Sequence, residues 1–263
     1  MTSTPVRNAR SRETYRETLR RLSSAQKTAT RGAPPYSVYV NRNVGRYLAA
    51  GAFRLGLSPN NVTAISAGFT FCAIGALALG EPSLWLGLTV WLLLAIGYAF
   101  DSADGQVARL RGGGSPSGEW LDHVVDALKI STLHLAVLIT MFRHFSLETP
   151  AWLLIPIGFT VVGAVSFFAM ILNDLLKAKH APVAPQSTKP RTVLRSLLGL
   201  PTDYGVLCLA FIALGTPLIF LAVYAGLFLA NSLYLGLALT KWFRDMTLLG
   251  AVEVTARQSG SLP

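Results

Sequence analysis

The stretch Asp101 to Asp126, DSADGQVARLRGGGSPSGEWLDHVVD, decides how the rest of the chain is read. It sets four aspartates, Asp101, Asp104, Asp122 and Asp126, beside the ends of two apolar segments. Uncompensated charge is costly there, so a balancing partner is required, and metal ions are the obvious candidates. Read as helix, the first half places Asp101, Asp104, Gly105 and Ala108 on one face, because these positions recur at the three-and-four spacing of a turn. Gly118, Asp122 and Asp126 form a second stripe at successive spacings of four. Between the stripes, Arg111 to Gly118 holds four glycines and a proline, which a helix interior does not tolerate and a tight reversal uses well. The two carboxylate faces can therefore meet. Ser115 and Pro116 suit the cap and first position of the second helix. Gly105 and Ala108 leave space for a flat ligand, and Arg109, one step round, can reach a phosphate with its fork of donors.

Working outward, the chain of 263 residues is 52% hydrophobic and 14% charged, with its charges confined to a few blocks. That composition reads as an all-α integral membrane protein. The net charge of +10 implies basic loops facing anionic headgroups, with no nucleic acid as partner. Cys72 and Cys208 fall inside apolar segments and are expected as core thiols without a disulfide framework. Residues 1–35 form a basic arm, mobile or partly helical, that lacks the apolar core of a signal peptide. Within 36–57, Val40, Val44, Tyr47, Leu48 and Leu55 recur at helical spacing with Arg42 and Arg46 on another face, as in an amphipathic helix lying on a membrane.

Six spans are expected within residues 58–245, since about twenty apolar residues cross a bilayer core. They run from Asn60 to Gly80, Ser83 to Leu110, Gly118 to Phe142 and Pro150 to Leu176. A charge-free run from Tyr204 to Thr240 supplies two more, divided at Gly215, Thr216 and Pro217, and Lys241 and Arg244 end the last. Residues 246–263 are left as a tail. An even number of spans puts both termini, the reversal after Arg111 and the basic loop from Ala178 to Pro201 on one side. The positive-inside rule makes that side cytoplasmic, so the aspartates open to the cytoplasm. His134, mid-span, is expected to bond another helix. Asn173 and Asp174 either face the cavity or mark where the fourth span meets water.

The order DxxDGxxAR, eight residues, then GxxxDxxxD resembles the signature of the CDP-alcohol phosphotransferase (CDP-alcohol phosphatidyltransferase) family. Asp101, Asp104, Gly105, Ala108, Arg109, Gly118, Asp122 and Asp126 match it position by position. The resemblance extends to the six spans, the amphipathic amino-terminal helix and, more loosely, to SPNNVT at the start of the first span. It implies transfer of a phosphoalcohol group from a CDP-linked donor such as CDP-diacylglycerol to a small polyol acceptor, with release of CMP, in phospholipid biosynthesis. It also implies two divalent cations, Mg2+ or Mn2+, and a homodimer in the membrane lipid. By the same resemblance Asp101, Asp104 and Asp122 are metal ligands. Asp126 is the general base that takes the acceptor's hydroxyl proton and also touches a metal. Asn60, Thr63, Gly105, Ala108, Arg109 and Gly118 line the CDP donor. Family members that use glycerol phosphate often carry Lys directly after the last motif aspartate. This chain has Ala127 there and its first cation on that face at Lys129, which leaves the acceptor open among inositol, inositol phosphate, glycerol phosphate and other polyols. Lys177, Arg191 and Arg195, on the basic side, are the candidate acceptor residues.

Three other readings compete. The aspartates could pair with Arg109, Arg111 and Lys129 as a structural salt network, but buried pairing stabilises too little to account for such a cluster. An acidic-site ion transporter would string its carboxylates across the membrane, whereas these cluster near one face. An intramembrane Mg2+-dependent prenyltransferase draws its aspartate pairs from well-separated helices and lacks the DGxxAR element.

Overall fold

The computed structural model describes residues 14–24, 35–180 and 199–258, with side chains described as far as residue 249. All regular structure among them is helical. In order, α1 is Tyr15–Ser24, a π-helical turn Ser37–Asn41 leads into α2, Arg42–Arg54, and the long helices follow as α3 (Pro59–Leu79), α4 (Leu84–Leu110), α5 (Pro116–His144) and α6 (Leu154–His180). A short α7 (Tyr204–Ala210) continues as a 3-10 helix to Gly215, and α8 is Pro217–Gln258.

The starts of these helices follow one rule, a side-chain oxygen bonded to an otherwise orphaned backbone N–H. Ser58 caps α3 through Asn61 N, Ser83 caps α4 through Leu86 N and Ser115 caps α5 through Gly118 N, each at 3.1 Å. Proline holds the first position of α3 and α5, where its missing N–H costs nothing. The reversal between α4 and α5 rests on Gly112 (φ 96°) and Gly113 (φ 131°), conformations that side-chain-bearing residues avoid. The Arg111 guanidinium donates to the carbonyls of Gly56 and Leu57 at 2.8 and 2.6 Å, pinning the reversal to the start of α3.

Among the described residues, five helices are long and apolar enough to cross a membrane: Pro59–Leu79, Leu84–Leu110, Pro116–His144, Pro150–His180 and Pro217–Leu249. The chain is a multi-pass membrane protein. The expected fifth span is the exception, because Tyr204–Gly215 is a 12-residue helical segment. At a rise of 1.5 to 2.0 Å per residue it covers about 20 Å, short of the roughly 30 Å hydrocarbon core. Its break falls at the expected place, where Gly215 packs so closely on the backbone of Leu84 and Ser83 that a Cβ would not fit. The final helix runs on to Gln258, beyond the expected stop at Arg244.

Small residues bring the spans together. Gly97 of α4 lies against Thr70 and the Ser66 carbonyl of α3, leaving no room for a Cβ. Thr140 donates to the Leu77 carbonyl at 2.6 Å and Arg143 to that of Ala78 at 3.0 Å, tying the far ends of α5 and α3. His134 is buried, bonds Tyr224 Oη at 2.7 Å and stacks on Phe159, as expected of a neutral histidine joining two helices. Cys208 is buried, but Cys72 is exposed on the outer surface of α3 and is not a core thiol.

Part of the basic arm has a fixed place. Leu22 of α1 is buried, Tyr15 Oη donates to the Tyr47 carbonyl at 3.0 Å and Arg21 reaches the Leu110 carbonyl at 3.1 Å. Helix α2 packs through Gly45, Ala49, Ala50, Ala52 and Phe53, while Val40, Val44, Tyr47 and Leu55 stay exposed. It is fastened to α4 by Asn41 Nδ2, 3.0 Å from the Tyr98 carbonyl, and by Gln106 Nε2, 3.2 Å from the Arg42 carbonyl. Asp203, which is 1% exposed, accepts from Gly205 N at 3.1 Å and also from Tyr36 N and Ser37 N at 2.8 and 3.3 Å. One carboxylate thus caps the short α7 and the start of the surface helix together.

Candidate active site

The reversal at Gly112 and Gly113 turns the chain back so that α4 and α5 both pack on α3, which brings their carboxylate faces together. Carboxylate oxygens of Asp101, Asp122 and Asp126 then lie within 4.8 Å of one another, all three side chains half-buried. Hard cations such as Mg2+ and Mn2+ take oxygen ligands of this kind, and three converging carboxylates fit them.

Asp104 stands outside that group of three. It is 6% exposed, with Oδ2 accepting from Thr63 Oγ1 at 2.7 Å and Oδ1 from Gly105 N at 2.5 Å. Its place on α4, one turn beyond Asp101, aims it at α3 rather than at α5. Thr63 is therefore bound to a motif aspartate. Asn60 is also there, its Oδ1 so near Gly118 that a Cβ at Gly118 would come within 3.1 Å. The absence of a side chain at Gly118 lets α5 start close against α3. Arg109 is exposed and lays Nη1 over Gly105, 3.8 Å from where a Cβ would stand. Ala108, on the same turn, is half-buried.

Lys177, proposed for the acceptor, bonds Asp245 Oδ2 of α8 at 3.3 Å, a carboxylate that Lys241 shares at 3.1 Å. Arg191 and Arg195 lie outside the described residues. Asn173 and Asp174 part company, the first buried with Oδ1 unpartnered, the second exposed.

Of two further residues at the site, the sequence offered Lys129 only as a salt-network partner and as the first cation beyond the motif, and it did not single out Ser66. Lys129, 7% exposed, places its ammonium 2.6 Å from Asp101 Oδ1, 3.1 Å from Asp126 Oδ1 and 3.0 Å from Ser66 Oγ. Of the cations weighed for a salt network, Lys129 bonds two of the aspartates, while Arg111 donates to backbone carbonyls. The signal was present, because Lys129 continues the stripe of Gly118, Asp122 and Asp126 by one further turn. Ser66 likewise extends a line of hydroxyls, Thr63, Ser66 and Thr70, in an otherwise apolar span.

The sequence profile of the CDP-alcohol phosphatidyltransferase family matches residues 57–243. A phosphatidylinositol phosphate synthase of Corynebacterium glutamicum is 35% identical over 99 residues, a match that spans 37% of this chain and 42% of that relative. Among solved structures, Mycobacterium tuberculosis phosphatidylinositol phosphate synthase with CDP-DAG bound superposes with a TM-score of 0.46 at 18% identity, over 78% of this chain and 94% of that one. The same enzyme in complex with manganese and citrate gives 0.45 at 19% identity, over 74% and 87%. The profile runs from the first spanning helix to the last and takes in the whole aspartate site, so the chain belongs to the CDP-alcohol phosphatidyltransferase family.

Proposed function

We propose that this enzyme transfers a phosphatidyl group from CDP-diacylglycerol to a small polyol at a site facing the cytoplasm. The observation that carries this reading is the convergence of Asp101, Asp122 and Asp126 at the junction of three helices, within a chain of the family. These three hold divalent cations, Mg2+ or Mn2+, and the lone pairs of Asp104 left over from Thr63 and Gly105 complete the set for two ions. Bound there, the cations supply charge stabilisation on the attacking and leaving oxygens of a phosphoryl displacement. Asp126 accepts the acceptor's hydroxyl proton as that oxygen bonds to the phosphatidyl phosphorus. The bond from that phosphorus to the CMP oxygen breaks, and CMP leaves with the electron pair. Arg109 holds the donor's phosphates, and the side-chain-free surface of Gly105 and Gly118 admits the nucleotide beside Asn60 and Thr63.

A lipid-linked donor suits the surroundings. An apolar cleft of about 260 Å³ between α5 and α6 begins at Ala127, next to Asp126, and is walled by Ile130, Phe167 and Ile171. Diacyl tails can stay in apolar surroundings while the nucleotide stays in the polar pocket. The exposed Val40, Val44, Tyr47 and Leu55 of α2 form the face that lies on the membrane. For the acceptor, inositol phosphate heads the candidates, because the bacterial relative is named as a synthase of phosphatidylinositol phosphate. Lys177 with Arg191 and Arg195 would hold the acceptor's phosphate. Purified protein, labelled CDP-diacylglycerol, Mn2+ or Mg2+ and a panel of inositol phosphate, inositol and glycerol phosphate, resolved by thin-layer chromatography, test the reading. Metal-dependent CMP release with one acceptor is expected. No release with any of them overturns the assigned donor and acceptor class.

A further inference from the structure

An ammonium has three N–H donors, and Lys129 commits one each to Asp101, Asp126 and Ser66. Ser66 turns its own O–H to the Gly97 carbonyl at 2.9 Å, so its lone pairs face the lysine. No N–H is left for a substrate phosphate, and no lone pair for base or covalent chemistry. Stability alone is a weak account of this lysine, because a buried ion pair in a span gains little over apolar residues of the same size. The three bonds select which carboxylate oxygen is free. Asp101 and Asp126 both give Oδ1 to Lys129 and keep Oδ2 for other partners.

We infer that Lys129 is a positioning residue for the transfer reaction: by occupying one oxygen of Asp101 and one of Asp126, it holds both carboxylates monodentate towards the cations and tempers the site's affinity for them. The inference rests on the reading of Asp101, Asp122 and Asp126 as cation ligands. Without the ammonium, both oxygens of each carboxylate can close on the cations and fill coordination positions that the donor phosphate and acceptor hydroxyl need. The loss of a unit positive charge one side chain from a dication also removes a repulsion. Tighter metal binding and slower turnover therefore go together, a combination that neither a damaged fold nor an idle lysine produces.

The test compares the full-length parent with Lys129→Met and Lys129→Arg in detergent, following Mn2+ binding by the EPR signal of the free ion, donor turnover and thermal melting. Lys129→Met is expected to bind Mn2+ about tenfold more tightly while kcat falls roughly fiftyfold. Lys129→Arg, which keeps the charge, is expected to hold Mn2+ affinity within about threefold and to regain part of the turnover. A cooperatively melting Lys129→Met protein with unchanged or weaker Mn2+ affinity, or with the parent's turnover, overturns the inference. If the methionine variant does not fold, Lys129→Gln, which keeps a hydrogen-bonding head without charge, carries the same expectations. A parent that binds no Mn2+ overturns the cation reading and this inference with it, whereas normal parent binding with an unresponsive Lys129→Met overturns this inference alone.

Discussion

Thr63 Oγ1 donates to Asp104 Oδ2 at 2.7 Å across the contact between α3 and α4, and Asp104 is the one motif aspartate that is fully buried. The bond fixes Oδ2 of a carboxylate whose Oδ1 accepts from Gly105 N. Thr63→Val keeps the shape and removes the donor, so it should cost about 1–3 kcal/mol of stability and lower kcat/KM for the donor, whereas Thr63→Ser should restore both. Melting curves and donor kinetics on the two variants check this. A valine variant indistinguishable from the parent would show that Asp104 needs no anchor.

Asp126 differs from its neighbours in the work assigned to it. Asp126→Asn should retain donor affinity, because Asp101, Asp104, Asp122 and Arg109 remain, yet lose about a hundredfold or more in kcat, since an amide cannot take the proton. Asp101→Asn should damage binding and turnover together. Calorimetric titration of a CDP donor with metal present, beside turnover, separates the two. Equal loss of donor affinity in both variants would make Asp126 primarily a ligand.

Lys177 pairs with Asp245, so its role in acceptor binding can be told from a role in holding α6 to α8. Lys177→Ala should raise the acceptor KM about tenfold with little change for the donor, as loss of a phosphate contact predicts. Asp245→Asn removes the same ion pair and should leave the acceptor KM unchanged. If both variants shift only the melting temperature, the lysine is a strut.

Asp203 caps two helices with one carboxylate. Asp203→Ala should cost about 2–3 kcal/mol, two caps' worth, and Asp203→Asn much less, since the amide oxygen still accepts. Burial, opposed by its backbone N–H donors, pushes this carboxyl above its ordinary value. The folded chain therefore binds the proton more tightly than the unfolded chain. Its contribution to stability is present at low pH and declines as pH rises through the folded value. Acid-range melts of parent and Asp203→Asn test this, and a parent limb that survives unchanged in the asparagine variant assigns it to another group.

Orientation is open to labelling. In a protein freed of Cys72 and Cys208, cysteines at positions 111 and 187 should react only from the cytoplasmic side and one at 146 only from outside. External labelling at 187 would overturn the assigned orientation, and with it the arrangement of the four spans that precede it.

The sequence by itself determined the parts of this protein that local chemistry dictates. Serine and proline at 58–59 and 115–116 start helices, the glycines after Arg111 reverse the chain, and apolar length makes α3 to α6 spans, because caps, φ preferences and hydropathy act over a few residues. The aspartate spacing likewise placed Asp101, Asp122 and Asp126 on faces able to meet. Tertiary structure decided what depends on which helix lies opposite. Asp104 turns to Thr63 because α3, not α5, faces it. Asp203, distant in sequence from Tyr36, caps it because the short α7 starts against the surface helix. Lys129 enters the site because three helices bring Ser66, Asp101 and Asp126 to its ammonium. Periodicity shows which face a side chain occupies, but the partner across that face is set by packing between segments dozens of residues apart, where small residues such as Gly97 allow two backbones to approach.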